Sequence, residues 1–314
     1  MATTASAVQP RLIAVDWGTS NFRAFLLNAS GQLLEKKFAR QGVLRVSRKQ
    51  FEAVLMKHIH EWLSADPQLP IVMSGMIGSR QGWLEVPYLF CPVDLSNLTA
   101  GMQQVSAQHQ PWIVSGIRID YPDGRVDVMR GEETQILGAL NYEQSPHHLG
   151  SDSQVFCLPG THCKWAWVEN QKLMHFSTFM TGEIFTLLAK HSILGKLMRN
   201  TRTDFNAFNK GLDWAEKKRP LLSSLFQVRT QVLAGKLHLH EVHSFLSGLM
   251  IGEEISQAMQ TPIPNKKVTL IGNSRIAKLY AICLARHGVE GLVMDVDEVT
   301  VRGLYRVAQA KGLL

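Results

Sequence analysis

At 314 residues the chain is long enough for two domains of ordinary size, and its 45% hydrophobic and 19% charged residues are typical of a globular protein. No apolar run approaches the roughly 20 residues that a bilayer-spanning helix needs, which argues against a membrane protein. The net charge of +7 comes without a nucleic-acid recognition motif, so we expect a small anionic partner rather than a nucleic acid.

The N-terminus and the cysteines indicate where the protein works. Residues 1–10 have neither the basic start nor the apolar core of a secretory signal, and they are predicted to be a disordered tail. The four cysteines show no close paired spacing, which indicates reduced thiols and a cytoplasmic location.

The first predicted domain, residues 11–145, opens on three strands joined by tight turns. An apolar run at 12–15 enters the turn Asp16-Trp17-Gly18-Thr19-Ser20, and further strands start at Phe22 and Gln32. A capping-box pattern at 47–50 precedes a helix with apolar residues at helical spacing. The later elements are strands at 71–73 and 112–114, a turn at 122–124, a helix from 131 to about 140 and a polar linker at 141–152.

The second predicted domain, residues 146–314, repeats this opening. A strand at 155–158 enters the turn Pro159-Gly160-Thr161-His162-Cys163-Lys164, and two more strands follow at 165–168 and 172–176. Residues 195–240 are polar, and we expect an irregular lobe with helical pieces. The other elements are helices from 181, 242, 276 and 299, with strands at 268–271 and 292–294.

Two equivalent strand–turn–strand–turn–strand segments indicate a duplicated mixed α/β domain. Glycine lets the backbone of such a turn approach a phosphate group, and backbone N–H groups there form an anion site. Two opposed turns would therefore bind a polyphosphate. The chain has neither a P-loop motif nor a Rossmann fingerprint.

Three of these segments resemble the motifs of the sugar kinase/actin/Hsp70 superfamily. The segment 16–20 with Arg23 is similar to its first phosphate motif, Gly160-Thr161 to its second, and 271–274 to its adenosine motif. Narrower strings resemble the 2-dehydro-3-deoxygalactonokinase family over roughly residues 11–310. These strings are 74–79, 129–135, 158–165, 180–183 and 245–252.

The resemblance implies an α/β fold of two ribonuclease-H-like (actin-like ATPase) domains flanking a nucleotide cleft. The N-terminal domain would carry the sugar-acid site and the C-terminal domain the adenosine site. It also implies ATP and Mg²⁺ as cofactors, and phosphorylation of the 6-hydroxyl group of 2-dehydro-3-deoxy-D-galactonate in galactonate catabolism.

The nucleotide site is predicted from the three motifs. Asp16 stands at a strand end, where a carboxylate can hold Mg²⁺ or its water. Arg23 and Lys164 are each compatible with a phosphate contact or with a structural role, and Lys164 also with a substrate contact. The remaining cofactor-binding residues implied by the motifs are Gly18, Thr19, Ser20, Gly160, Thr161, Gly272, Asn273 and Ser274.

Phosphorylation of an alcohol calls for a general base, because the hydroxyl proton must leave. Glu132 and Glu133 stand at a helix start, where related kinases use an aspartate. We prefer Glu133 as the base and Glu132 as a metal ligand or orienting group, with Asp127 as a fallback. Glutamate here departs from the aspartate of those kinases, and simple helix N-terminal acidity is the alternative.

A planar guanidinium group suits recognition of the substrate carboxylate, and Arg80 or Arg130 is predicted to provide it. The alternative for each arginine is a role as a surface ion-pair partner. Ser74, Met76 and Gly78 are predicted to shape the sugar-acid pocket. Two tempting clusters are not expected to be functional: the histidines of 238–243 as a zinc site, and Cys157, His162 and Cys163 as a hydrolase.

The sequence therefore predicts a kinase for a small sugar acid. A kinase for another sugar acid, and an actin-like or Hsp70-like ATPase switch with a protein partner, stay open as alternatives. The sequence does not fix the oligomeric state, and a homo-oligomer is compatible with it.

Overall fold

The computed structural model describes residues 9–140, 153–199 and 201–314. Its contacts divide the chain into two units. The first unit contains the described residues of Met1–Asp152 together with Val168–Phe176 and Asp295–Leu314, and the second contains Ser153–Trp167 and Ser177–Met294. The predicted domain boundary at 145/146, the linker at 141–152 and the tail up to residue 8 lie outside the described residues.

Strands and helices alternate through both units. In chain order the strands of the described residues are β1 (Pro10–Trp17), β2 (Phe22–Asn28), β3 (Leu33–Ala39), β4 (Ile71–Ser74), β5 (Leu89–Phe90), β6 (Gln103–Gln104), β7 (Trp112–Ile113), β8 (Ile117–Asp120), β9 (Val126–Met129), β10 (Ser153–Leu158), β11 (Cys163–Glu169), β12 (Lys172–Phe179), β13 (Lys267–Ile271) and β14 (Glu290–Met294). The helices are α1 (Phe51–Ala65), α2 (Leu95–Gly101), α3 (Glu132–Ala139), α4 (Thr181–His191), α5 (Phe205–Ala215), α6 (Leu221–Leu233), α7 (Val242–Ala258), α8 (Ser274–Arg286) and α9 (Val296–Ala310).

The main sheet of the first unit has the strand order β3-β2-β1-β4-β7-β6. β1, β2 and β3 form an antiparallel meander, whereas β4 and β7 run parallel to β1. Residues 12–17 of β1 are all buried, as expected for a strand that is covered on both faces. A second, three-stranded sheet has the order β5-β8-β9.

Helix α1 confirms the predicted amphipathic pattern and corrects its start. Phe51, Leu55 and Ile59 are buried in the first unit's core together with residues of β1, β2 and β4. The predicted capping box does not form, because Ser47 Oγ bonds to the side chain of Gln50 at 2.8 Å and a short 3₁₀ turn precedes the helix.

The last helix, α9, groups with the first unit, although the sequence assigned residues 146–314 to one domain. Glycines explain this packing. A Cβ on Gly138 of α3 would lie 1.8 Å from the carbonyl oxygen of Val299, and one on Gly303 of α9 would lie 1.9 Å from that of Thr134. The two helices therefore approach each other closely at both places.

The main sheet of the second unit has the order β12-β11-β10-β13-β14, with β13 parallel to both β10 and β14. It repeats the order of the first sheet, in which a three-strand meander is extended on its β1 side by parallel strands. The predicted pair of ribonuclease-H-like α/β units is thereby confirmed. The core beside this sheet includes Val155, Trp165, Leu270 and Tyr280.

Residues 195–240 are more regular than the expected irregular lobe, because they contain the full helices α5 and α6. α5 and α7 pack closely: a Cβ on Gly211 would lie 2.1 Å from the Phe245 carbonyl oxygen, and one on Gly248 would lie 2.1 Å from that of Phe208. Within the described ranges, no helix is long and apolar enough to cross a membrane. All four cysteines are free thiols.

Candidate active site

The ends of three elements converge in the first unit. The parallel register of β1 and β4 sets Asp16 beside Ser74, at the carboxyl ends of both strands. Gly75 follows with φ = 93°, and a Cβ there would lie 2.8 Å from the Trp17 carbonyl oxygen and 3.2 Å from Asp16 Oδ1. A Cβ on Gly131, just before α3, would lie 3.2 Å from the Gly75 Cα. The carboxyl edge of this sheet and the N-terminus of α3 thus form one site.

Asp16 is held in place by Arg23 of the neighbouring strand. Arg23 Nε donates to Asp16 Oδ2 at 2.8 Å, and Arg23 Nη2 donates to the same oxygen. The third guanidinium nitrogen, Nη1, donates to Asp297 Oδ1 at 2.6 Å, and Lys36 also pairs with Asp297. The structure therefore places Arg23 between two carboxylates, with Asp16 only 8% exposed.

The turn at 18–21, called the first turn below, lies against residues 42–44. The N–H groups of Gly42, Val43 and Leu44 donate to carbonyl oxygens of the turn at 3.0 to 3.3 Å. Thr19 and Ser20 are exposed. A Cβ on Gly18 would meet nothing nearer than the Asn21 carbonyl oxygen at 3.7 Å, so the fold itself does not require glycine there.

The two adjacent glutamates at the start of α3 differ in accessibility. Glu133 is 2% exposed, and its carboxylate accepts hydrogen bonds from the Gly131 N–H at 2.6 Å and from Thr134 Oγ1 at 3.1 Å. Burial and the negative charge of Glu132 raise the pKa of Glu133 from 4.5 to about 7. Glu132 is partly exposed, and one of its oxygens accepts from the Arg130 N–H at 3.1 Å.

The two candidate arginines differ in the same way. Arg80 is exposed, whereas Arg130 is 7% exposed and stacks 4.3 Å from the Tyr88 ring centre. Arg130 Nη2 donates to the Val86 carbonyl oxygen at 2.7 Å, but Nε and Nη1 have no hydrogen-bond partner among the described residues. A Cβ on Gly78 would lie 2.9 Å from Nη1, so this predicted substrate residue borders the guanidinium group. Ser74 is buried and Met76 partly buried in the same segment.

The turn at 159–162, called the second turn below, connects β10 and β11 in the second unit. Its Gly160 and Thr161 are exposed. The start of α4 packs against it: a Cβ on Gly182 would lie 2.1 Å from the Gly160 carbonyl oxygen, and the Glu183 N–H donates to the Thr161 carbonyl oxygen at 2.9 Å. At Gly160 itself, a Cβ would meet nothing nearer than 3.9 Å.

A cavity of about 420 Å³ opens beside the second turn, within the second unit. Eight hydroxyl-bearing residues line it: Thr161, Thr181, Thr186, Thr201, Thr203, Ser244, Ser247 and Tyr280. Its apolar wall includes Phe208, Met250 and Ile276. Among its lining residues Arg275 alone carries a permanent charge. A concave site of this size, with a largely apolar wall and a few polar groups, suits a nucleoside.

The predicted adenosine motif lies at the edge of this cavity. Gly272 adjoins the second turn, since a Cβ there would lie 3.4 Å from the Pro159 carbonyl oxygen. The Asn273 side chain accepts from the Arg275 N–H at 3.0 Å and so caps α8, which begins at Ser274. Lys164 is 6% exposed and donates to Thr178 Oγ1 at 2.6 Å.

Sequence reasoning missed two residues that line the cavity. Arg275 donates to Thr203 Oγ1 and to the Thr201 carbonyl oxygen at 2.9 to 3.3 Å, and its place directly after the adenosine motif was a usable signal. His243 has a buried Nδ1 without a hydrogen-bond partner among the described residues, and burial and nearby Arg275 lower its pKa. Only the fold shows that His243 faces this cavity. No described group of three or more His, Cys, Asp or Glu side chains could hold a metal ion.

Comparisons with known proteins identify the family. A sequence model of the 2-keto-3-deoxy-galactonokinase family matches residues 16–307. The chain is 33% identical over 300 residues to the 2-dehydro-3-deoxygalactonokinase of Escherichia coli (strain K12), covering 96% of this chain and 98% of that relative. It is 34% identical over 306 residues to a probable 2-dehydro-3-deoxygalactonokinase of Rhizobium meliloti (strain 1021), covering 95% and 96%.

A solved structure is similar over the same length. A crystal structure from Sinorhizobium meliloti, of a protein assigned as a 2-dehydro-3-deoxygalactonokinase, matches with a TM-score of 0.86 at 32% identity. The match covers 95% of this chain and 98% of that one.

Proposed function

The chain belongs to the 2-keto-3-deoxy-galactonokinase family, and on that premise we propose that it transfers the γ-phosphoryl group of ATP to the 6-hydroxyl group of 2-dehydro-3-deoxy-D-galactonate. Membership makes the protein a phosphotransferase of galactonate catabolism. The observation that carries the proposal is the convergence of Asp16, Gly75 and Gly131 beside the partly exposed Glu132.

Glu132 is the better candidate for the general base. A base must come within hydrogen-bond distance of the proton that it removes, which requires access to the substrate. Glu133 has the pKa that suits a base, but its carboxylate is buried and accepts bonds at the N-terminus of its own helix. We therefore assign proton removal to Glu132, which the sequence suggested as a metal ligand, and a supporting role to Glu133.

Arg130 is our candidate for binding the substrate carboxylate. Two of its guanidinium nitrogens are buried with no hydrogen-bond partner in the described part of the chain, and a buried unpaired donor is costly. The two nitrogens lie on different edges of the planar group, and a substrate carboxylate would accept from one of them in a charge-assisted hydrogen bond. The exposed Arg80 has no comparable need for an anion.

Asp16 is our candidate ligand for a Mg²⁺ ion that enters with the nucleotide. Mg²⁺ keeps several waters and is usually held by one or two carboxylates together with substrate phosphates, which fits a site without a preformed ligand cluster. When bound, the ion neutralises charge on the phosphoryl oxygens. The protein's own contribution is to orient Asp16 through Arg23.

The second unit is our candidate for nucleotide binding. The cavity would hold the adenosine, with Gly272, Asn273 and Ser274 at its edge. Thr161 would donate to phosphate oxygens beside Gly160. In the first unit, Thr19 and Ser20 would be the corresponding donors beside Gly18, whose own N–H donates to the Asn21 carbonyl oxygen at 3.0 Å. At Gly18 and Gly160 the fold leaves room for a methyl group, so close approach by a ligand is the better explanation for glycine.

A coupled assay of ADP release tests the proposal across a panel of 2-dehydro-3-deoxy sugar acids, with ATP and Mg²⁺. We expect the galacto epimer to have the highest kcat/KM, and NMR of the product to place the phosphate on the 6-oxygen. Preference for another sugar acid would contradict the assigned substrate. ATP hydrolysis that no sugar acid stimulates would favour the ATPase switch instead.

A further inference from the structure

A buried carboxylate lies behind the second turn, outside every motif discussed above. Glu254 of α7 is 2% exposed. Its Oε1 accepts from Trp165 Nε1 at 2.9 Å and its Oε2 accepts from the Tyr280 hydroxyl at 2.7 Å. The side chains of Thr181 and Cys163 lie near it as well. Burial raises the pKa of Glu254, and these four neighbours oppose the rise.

Three of these four partners line the nucleotide cavity, although Glu254 itself does not: Cys163, Thr181 and Tyr280. Cys163 continues the connection into the second turn. Its Sγ lies 3.3 Å from the Gly160 carbonyl oxygen, to which it donates, and 3.5 Å from the Gly160 N–H. The Tyr280 hydroxyl lies 3.2 Å from the same sulfur.

Thr181 connects Glu254 to the other wall of the turn. Thr181 is the first residue of α4, and Gly182 and Glu183 make the contacts with Gly160 and Thr161 described above. A single carboxylate therefore holds both the turn and the helix that packs on it. The carboxylate belongs to α7, a rigid helix of 17 residues.

We propose that Glu254 is a positioning residue that fixes the second turn for binding the nucleotide phosphates. The inference rests on the proposed ATP-binding role of that turn. A buried carboxylate is a costly way to stabilise a core, since an apolar side chain of similar size often stabilises as well. Its four partners come from three elements around the second turn, α4, α8 and β11, and that convergence gives the group a purpose beyond packing.

The test is Glu254→Gln, which keeps the shape but puts an amide nitrogen where one of the donors needs an acceptor. We expect the Kd for a non-hydrolysable ATP analogue, and the KM for ATP, to rise roughly tenfold, the effect of one mispaired buried donor. The KM for the sugar acid should not change. A role in packing alone would lower Tm without this selective change in KM.

Glu241→Gln is the matched control. Glu241 caps the same helix, is 6% exposed, and accepts from Lys210 Nζ at 2.8 Å and from the His238 N–H at 2.7 Å, but it has no bond to the turn. It should lower Tm and leave the Kd for the analogue at the wild-type value. If Glu254→Gln does not fold, Tyr280→Phe removes the hydroxyl between Glu254 and Cys163 and should raise the same Kd.

The outcomes separate the two proposals. A folded Glu254→Gln or Tyr280→Phe variant that binds the analogue as tightly as the wild type would overturn the role of Glu254 and leave the kinase proposal standing. Wild-type protein that binds no ATP analogue would instead contradict the proposed function itself.

Discussion

The two units have related sheets but chemically different sites. In the first unit, acidic and basic side chains meet near the strand ends: Asp16 and Arg23 form an ion pair, and two glutamates and Arg130 stand at the start of α3. In the second unit, a cavity of about 420 Å³ is lined by hydroxyl and apolar groups, with Arg275 as its permanent charge.

This contrast teaches how a duplicated fold divides a reaction. Phosphoryl transfer needs charge neutralisation and proton removal at the reacting atoms, and charged groups suit that work. Holding a nucleoside needs shape and a few hydrogen bonds. Substitutions in the first unit should therefore act mainly on kcat or on the sugar acid, and those in the second unit on the KM for ATP.

The largest expected effect is at Glu132. Glu132→Gln removes the proposed base, and kcat should fall by roughly 10²–10⁴-fold while the Kd for the ATP analogue stays the same. The matched control, Glu133→Gln, should have the smaller effect on kcat, because its carboxylate is buried. If only Glu133→Gln abolishes turnover in the coupled assay, the roles of the two residues are reversed.

Asp16→Asn should lower kcat by roughly 10²–10³-fold, the usual loss when one electrostatic contact to the transition state is removed. Asp297→Asn is the control, since Asp297 pairs with the same Arg23 from α9. It should keep most of the activity. Equal losses of kcat in the two variants would show that activity depends on the ion-pair network as a whole rather than on the Asp16 carboxylate at the site.

The pH dependence of stability checks the environment of Glu133. Its pKa is about 7 in the folded protein against 4.5 unfolded, so the unfolded chain releases a proton that the folded one retains. The free energy of unfolding should therefore fall by about 3 kcal/mol as the pH rises from 4.5 to 7. Urea titrations at several pH values should show that Glu133→Gln lacks this fall. If the free energy of unfolding of the variant depends on pH as that of the wild type does, Glu133 is not the buried group responsible.

Arg130→Lys tests recognition of the sugar acid. Lysine keeps the charge but lacks the rigid planar group whose nitrogens bond to the Val86 carbonyl oxygen and, in our proposal, to the substrate carboxylate, so the KM for the sugar acid should rise about tenfold with the KM for ATP unchanged. Arg80→Lys, at an exposed position, should behave like the wild type. A larger rise in the KM for the sugar acid in Arg80→Lys would indicate that Arg80, rather than Arg130, binds the substrate carboxylate.

Local patterns were sufficient to predict most of the fold. Apolar runs broken by glycine turns predicted both meanders, and helical spacing predicted α1, α3 and α8. The sequence could not predict that α9 packs in the first unit, because close packing through Gly138 and Gly303 depends on contacts between residues distant in the sequence. Helices α5 and α6 carry apolar residues on their exposed faces, among them Phe205, Leu222 and Phe226, and these obscured the helical spacing.

The candidate site could likewise be predicted only in part from the sequence. The turns and the glutamate pair are visible as short strings, because backbone approach and helix-start acidity are local properties. Which glutamate is buried depends on what packs on α3, and the burial of Arg130 depends on Val86 and Tyr88, more than 40 residues earlier in the chain. Glu254 had no local signal, since its partners come from three elements that are distant from it in the sequence.

The smallest expected effect compares two glycines of the second unit. A methyl group on Gly160 would meet nothing nearer than 3.9 Å, so Gly160→Ala should leave the free energy of unfolding within about 1 kcal/mol of the wild type. The same methyl group would stand where a phosphate oxygen is proposed to approach, and the KM for ATP should rise several-fold to about tenfold. Gly182→Ala is the contrasting variant, because its methyl group would lie 2.1 Å from the Gly160 carbonyl oxygen. This variant should lower both Tm and the affinity for ATP. A Gly160→Ala variant with a wild-type KM for ATP would mean that the second turn does not approach the phosphates closely, and the division of labour between the two units would then rest on the cavity alone.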